Sequence, residues 1–278
     1  MKPLDEQIIF ITGSTDGLGR ATARELAAQG ATVLIHGRSR ERLDATIAEI
    51  AKATGSRKLS GYLADLSELA QVRRLAEEVA GDHERLDLLI NNAGIGSGEM
   101  KLGRRETSRD GHELRFAVNY LAPFLLTKLL LPLLRRAAPS RIVNVSSIGQ
   151  SPIDFADVML ERRYDPMHAY TQSKLAQIMF TVDLAEELRA DRISVNAMHP
   201  ASLMNTKMVF ESFGYTSSTI EEGVDALLFV AASPTLDGVT GRYFNQKREA
   251  RASSQAYDAK ARAELKLLSE RLAGLAHS

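Results

Sequence analysis

The feature that most constrains this chain is an alternation of short apolar runs with helical segments, sustained over nearly all of its 278 residues. The apolar runs occupy 7–11, 32–35, 59–63, 86–90, 141–145 and 193–197, with a shorter one at 242–244. Helical stretches separate them at 17–30, 40–52 and 113–136 and from about 220. In three more, Leu69, Val72, Ala76 and Val79, then Leu175, Ile178, Val182 and Ala185, then Leu265, Leu268, Leu272 and Leu275 recur on one helical face. The strand-like runs are nearly continuous in apolar residues, as expected of strands covered on both faces. Such strands with helices between them imply βαβ units and an α/β, doubly wound parallel sheet of about seven strands, with helices on both faces. No repeat, low-complexity tract or linker breaks the rhythm, so residues 1–278 read as one domain with a C-terminal helical extension over about 246–278. The stretches 148–168 and 201–219 interrupt the alternation after strands, where an open α/β sheet has its ligand crevice, and are the candidates for substrate contact.

Composition narrows the function. Thirty-five basic and 35 acidic residues cancel, which speaks against binding nucleic acid by phosphate neutralisation and against an anionic membrane surface. Without cysteine there is no disulfide, thiolate nucleophile or Cys-ligated metal, and the histidines show no metal-ligand spacing. The N-terminus lacks the apolar stretch of a signal peptide. The greasiest segment, 121–134, is too short to span a bilayer and contains Lys128 and Pro132. The expectation is a cytoplasmic protein with no membrane anchor and no nucleic-acid partner.

Two motifs carry chemistry. Thr12-Gly13-Ser14-Thr15-Asp16-Gly17-Leu18-Gly19 lies between the first strand and the first helix. A turn rich in glycine at a helix N-terminus offers uncrowded N–H groups and the positive end of a dipole to a pyrophosphate. The second strand then ends in His36-Gly37-Arg38-Ser39-Arg40. An acid there would bind ribose hydroxyls and repel a 2′-phosphate, whereas guanidinium groups favour one. This points to NADP(H) over NAD(H), with Arg38 the first candidate and Arg40 the second. Further on, Tyr170 and Lys174 stand four apart on one helical face. An ammonium about 5 Å away favours a phenolate by roughly 3 kcal/mol, enough to lower its pKa by about two units.

Together these motifs resemble the short-chain dehydrogenase/reductase superfamily. The similarity extends to Asp65-Leu66, Asn91-Asn92-Ala93-Gly94, Asn119, Ser147 and His199-Pro200, and covers about residues 8–245. Within the superfamily, 141–147, 173–176, 196–200 and 241–244 look like the retinol dehydrogenase and protochlorophyllide reductase-like branch. The resemblance implies a Rossmann-type fold and hydride transfer between a nicotinamide and a carbonyl/alcohol substrate. It implies Tyr170 as acid/base, Ser147 as hydrogen-bond partner of the substrate oxygen, Lys174 beside the tyrosine and the ribose, and Asn119 on a relay water. Gly13, Ser14, Thr15, Asp16, Gly17, Leu18, Gly19, Arg38, Asp65, Leu66, Asn92, Ala93, Gly94, Tyr170, Lys174 and Pro200 would line the cofactor, whereas Asn91 would stabilise the sheet.

The chain departs from the family pattern in three places. Ala201 replaces a usual glycine, Asp16 stands where many NADP-preferring members carry a base, and the stretch from Ser147 to Tyr170 is long. Asp154, Asp157, Glu161, Arg162 and Arg163 in that stretch read as a solvated face. A cofactor-binding sensor or scaffold without turnover is the alternative, although all four catalytic positions are filled; a lyase or epimerase on the same scaffold also stays open. Met204, Met208, Val209, Phe210, Phe213 and Tyr215 suit a lipophilic substrate or else pack the loop onto its own domain. A homodimer is expected through the helix from 113 and the helix carrying Tyr170.

Overall fold

In the computed structural model, which describes residues 1–98 and 103–275, all strands join one sheet in the order β3-β2-β1-β4-β5-β6-β7-β8. The parallel strands are β1 (Ile8–Ile11), β2 (Thr32–Gly37), β3 (Leu59–Leu63), β4 (Leu88–Asn91), β5 (Ser140–Val145), β6 (Ile193–His199) and β7 (Tyr243–Asn245). An eighth strand, β8 (Arg248–Ala250), adds antiparallel to β7. It is absent from the sequence reading because three residues, two of them exposed and charged, leave no apolar signature. The extension after 246 therefore begins as a sheet edge and becomes helical only at α9 (Ala259–Leu272).

Alternate side chains of each strand enter opposite layers. Phe10, Leu34, Leu89, Ile142 and Val195 pack against α3 (Leu69–Asp82), α5 (Ala122–Ala137) and α6 (Pro166–Glu187). Ile9, Ile11, Val33, Ile35, Leu88, Ile90 and Val143 pack against α1 (Gly17–Ala28), α2 (Arg40–Thr54) and α8 (Ile220–Ala232). Strand order reverses at β1, whose neighbours are β2 and β4, so the crevice opens past the carboxyl ends of β1 and β4.

The long central helix is continuous but not uniform. A short α4 (Leu114–Phe116) runs through a π-turn at Ala117–Leu121 into α5. The whole Leu114–Ala137 segment is 24 residues, long and apolar enough to cross a membrane, which corrects the shorter stretch read from sequence. However, 78% of its most apolar window is buried within the protein, as a core helix requires. The stretch 148–168 is irregular, yet it sinks Ile153, Val158 and Leu160 into the core and exposes Asp154, Glu161, Arg162 and Arg163. The stretch 201–219 contains a helix not anticipated from sequence, α7 (Lys207–Phe213), capped by Thr206 and ended by Gly214 at φ +76.

Candidate active site

The glycine turn is held from three sides. Gly13 and Gly17 adopt left-handed backbone, φ +64 and +48. The Ser14 hydroxyl donates to the Ile11 carbonyl and accepts from the His36 N–H, while Ser14 N donates to the His36 carbonyl. The His36 ring continues the tie: Gly13 N donates to Nδ1 at 3.0 Å, and Nε2 lies 3.2 Å from the Ala64 carbonyl. Burial pushes His36 down to about 4. The ring is therefore neutral near pH 7, and with Nδ1 accepting, its proton sits on Nε2. On the other flank the Asn92 amide donates to the carbonyls of Thr12 and Gly13, and Thr12 Oγ1 accepts from the N–H groups of Asn92 and Ala93. Gly19 lets α1 close on this turn, since a Cβ there would stand 2.3 Å from the Gly13 carbonyl oxygen. Leu18 and Gly19 occupy the first turn of α1, where backbone N–H groups have no intrahelical acceptor and the dipole is positive. These donors fit a pyrophosphate. Asn92, assigned to the cofactor from sequence, spends its amide on the turn.

At the end of β2, Arg38 is exposed and makes no ion pair or hydrogen bond among the described residues. Arg40 turns away to Asp44 at 3.7 Å on its own helix. Arg42, passed over in the sequence reading, reaches Asp16 instead, with Nη2 and Oδ2 2.8 Å apart. Asp16 also caps α1 through the Gly17 N–H. Burial works to raise its pKa, but the bonds to Arg42 and Gly17 and the charges of Arg42 and Arg20 outweigh burial and leave the carboxyl below its ordinary value. The acid in the glycine turn is thus neutralised by a guanidinium. Half-buried Asp65 accepts from the Ser67 N–H at 2.9 Å, and Leu66 beside it is buried.

The catalytic candidates converge where α6, the π-turn and the ends of β4 and β5 meet. A π-turn shifts the helical register by one residue, a local irregularity common at functional sites. Asn119 lies within it, wholly buried. Its Oδ1 accepts from Ile95 N at 2.8 Å, and its Nδ2 donates to the Ile95 carbonyl and to Ser173 Oγ. Its side chain is thereby committed to protein partners. A Cβ added at Gly94 would lie 3.2 Å from Asn119 Oδ1 and 3.4 Å from Lys174 Nζ, so glycine lets this loop approach both without crowding. Ser147 is buried and hydrogen-bonded to Tyr170, and its Oγ also accepts from Gly149 N. The Ser147 carbonyl takes bonds from Tyr243 Oη and Gln150 Nε2, both at 3.0 Å. Gln150 is tied in turn to the Ser253 N–H, and Gln255 pairs with both backbone groups of Ile153. Sequence spacing held no signal for Gln150, Tyr243 or Gln255, because the C-terminal residues meet the serine loop only through the fold. Asn91 stays in the sheet, donating to Thr127 and Asn144.

Electrostatics here reverse the sequence estimate. Lys174 Nζ sits over the Tyr170 ring, 5.8 Å from its centroid. Burial pushes the phenol up, and the Ser147 hydrogen bond only partly opposes that. Lys174, 5% exposed, is itself pushed down to about 7 by burial. Burial sets the direction for both groups, so Tyr170 keeps its proton at neutral pH.

Opposite the catalytic groups, Pro200 and Ala201 are buried, and His199 Nε2 pairs with Ser202 Oγ at 3.0 Å. A Cβ built at Gly17 would touch the Thr206 methyl, and one at Gly96 would strike Ser212 Oγ and Met208. The start of α7 therefore reaches the glycine turn, and its body lies against the loop after β4. Phe210 and Tyr215 are the most exposed of the apolar side chains here, Met208 and Phe213 are partly covered, and Met204 packs onto the core.

The short chain dehydrogenase family model matches residues 7–213. The chain belongs to that family. This short-chain dehydrogenase is 36% identical to retinol dehydrogenase 14 of Homo sapiens over 96% of this chain and 86% of that protein. A protein of uncharacterised function from Mycobacterium paratuberculosis has a similar structure, with a TM-score of 0.77 and 30% identity over 97% of this chain and 94% of its own. A short chain dehydrogenase of Escherichia coli CFT073 complexed with NADPH gives a TM-score of 0.72 and 29% identity over 88% of this chain and 98% of that one. The chain is accordingly an NAD(P)-dependent oxidoreductase of the retinol dehydrogenase-like branch.

Proposed function

We propose that this dehydrogenase works as an NADP(H)-dependent reductase of a lipophilic carbonyl compound. The observation that carries the reading is a half-buried, protonated phenol, Tyr170, hydrogen-bonded to Ser147 with Lys174 over its ring. When bound, the nicotinamide supplies the hydride. Tyr170 donates its proton to the substrate oxygen as the carbonyl becomes an alcohol, and the Ser147 hydroxyl stabilises the charge developing there. Lys174, near its midpoint at neutral pH, returns a proton to the tyrosine. A phenol that holds its proton favours reduction over alcohol oxidation, which needs the phenolate.

Three features support NADP(H) over NAD(H): the unpaired Arg38, Arg42 held beside the glycine turn, and the neutralisation of Asp16. The NADPH-bound relative is consistent with this. Residues Gly13 to Gly19, Asp65, Leu66, Ala93, Gly94 and Pro200 would line the cofactor, with Asn92 acting through the turn and Asn119 through Ile95 and Ser173. The exposed apolar side chains of α7 support a lipophilic substrate, as does the likeness to retinol dehydrogenase 14. Cytoplasmic residence and a homodimer belong to the same proposal. Arg262 of α9 pairs with Asp183 on α6 and Lys266 with Glu187, so a dimer would use what α9 leaves open of the α5 and α6 face. Sedimentation equilibrium reads that state directly.

The deciding experiment is NADPH oxidation with aldehydes and ketones graded in length and apolarity, comparing wild type with Tyr170→Phe. Loss of one acid/base group should cost about 10²- to 10⁴-fold in turnover with NADPH affinity nearly unchanged. Retained turnover would remove Tyr170 from its role. NADPH binding with no turnover on any substrate would favour the sensor reading.

A further inference from the structure

Lys174 is a buried cation with no carboxylate partner among the described residues. Its Nζ donates to the Val145 carbonyl at 3.0 Å and to Gln177 Oε1 at 3.1 Å. An ammonium carries three donors, so one N–H remains beyond these two bonds, and Gly94 approaches Nζ closely enough that a Cβ built there would lie 3.4 Å from it. Gln177 lies one turn further along α6 and is 1% exposed. Its amide nitrogen is buried with no hydrogen-bond partner. Turning the amide over would set its NH₂ against an ammonium, so the oxygen faces the cation and the nitrogen goes unsatisfied. An unsatisfied buried donor is costly, and an apolar side chain of the same length would fill this part of the core without it. Packing alone does not account for an amide here.

We propose that Gln177 is a positioning residue for Lys174: with the Val145 carbonyl it fixes Nζ so that the third N–H faces the nicotinamide ribose. The proposal rests on the reading of Lys174 given above. Tyr170 on α6 and His199 on β6 are the titratable groups facing this ammonium, and neither is a carboxylate. Gln177 is then the side chain that helps keep a desolvated lysine charged. Removing its carbonyl dipole favours the neutral amine, and a carboxylate in its place favours the ammonium.

The test is the pH dependence of NADPH binding, followed by nucleotide fluorescence, in wild type, Gln177→Met and Gln177→Glu, with kcat/KM profiles alongside. The expected midpoint falls by about one pH unit in Gln177→Met and rises by at least as much in Gln177→Glu. Gln177→Asn, whose oxygen is drawn back by one methylene, should lie between Gln177→Met and wild type. A merely structural glutamine would lower melting temperature without moving the midpoint in opposite directions. An unchanged midpoint in whichever variants fold overturns the proposal. Lys174→Met separates the two levels of inference. If the wild-type pH dependence survives in it, Lys174 is not the titrating ligand and the functional reading fails first, taking this proposal with it.

Discussion

The glycine turn and the segment after Pro200 both leave the carboxyl end of a strand, yet they are built on opposite terms. In the turn, nearly every polar group is tied inward, by Ser14, His36, Thr12 and Asn92, and Gly19 lies so close to the Gly13 carbonyl that no side chain fits. After Pro200 the ties run mostly within the segment itself, Ser217 and Ser218 to Leu203, Asn205 to Ser218 and Ser217 Oγ to Ser202, around a seven-residue helix that leaves the Phe210 ring in solvent. In the proposed function the first region would meet a ligand part that never changes, a pyrophosphate, through backbone N–H groups. In the same proposal the second would take variable apolar ligands, because exposed Met and Phe side chains on a short helix can rearrange at little cost.

That contrast breaks if both regions tolerate change alike. Gly19→Ala should have the largest effect, since its methyl meets a backbone oxygen that cannot yield. A penalty of about 3 kcal/mol corresponds to roughly 100-fold weaker NADPH binding by fluorescence titration. Arg38→Ala sharpens the comparison within the cofactor half. Loss of a charge-assisted bond to a phosphate should cost about tenfold or more in NADPH affinity while NADH is little affected, and equal losses would remove Arg38 from the 2′-phosphate.

The two halves also share an acid sensitivity, through one histidine each. Burial holds both His36 and His199 down to about 4, with the charge of Lys174 adding to the effect at His199. An unfolded histidine titrates near 6.5, so between pH 6.5 and 4 the unfolded chain binds protons that the folded chain refuses. Stability is therefore full above about 6.5 and falls as pH drops through this window, by about 2 kcal/mol per histidine at pH 5. Urea midpoints at pH 7 and pH 5 measure the loss, and His36→Gln should remove about half of it. The smallest effect belongs to Phe210→Ala. With this side chain 65% exposed, melting temperature should stay within a degree or two while KM rises a few-fold for the most apolar substrates.

Legibility in sequence follows the same division. The glycine turn and the placing of Tyr170 and Lys174 on one helix were readable because both depend on local spacing along one turn or one helix. Arg42 was not, because which of three nearby arginines faces the turn depends on how α2 docks, and that docking sends Arg40 toward Asp44 and Arg42 toward Asp16. The direction of the Tyr170 shift was misjudged for a similar reason: helical spacing gives the separation of two charges and says nothing of the water taken from both. Strand β8, the π-turn at Asn119 and helix α7 escaped because each is too short for a periodic signal.

The bonds from Tyr243, Ser253 and Gln255 to the serine loop carry a consequence for how the protein is made. They join residues 96 to 103 positions apart, and every partner lies in the last fifth of the chain. During synthesis the glycine turn has all its tying partners once residue 93 has emerged, whereas Ser147 stays untethered on this side until residue 255 follows. A chain halted before that point holds the glycine turn without the ties that fix its serine loop, so emergence of residues 243–255 is itself a step in assembling the candidate site.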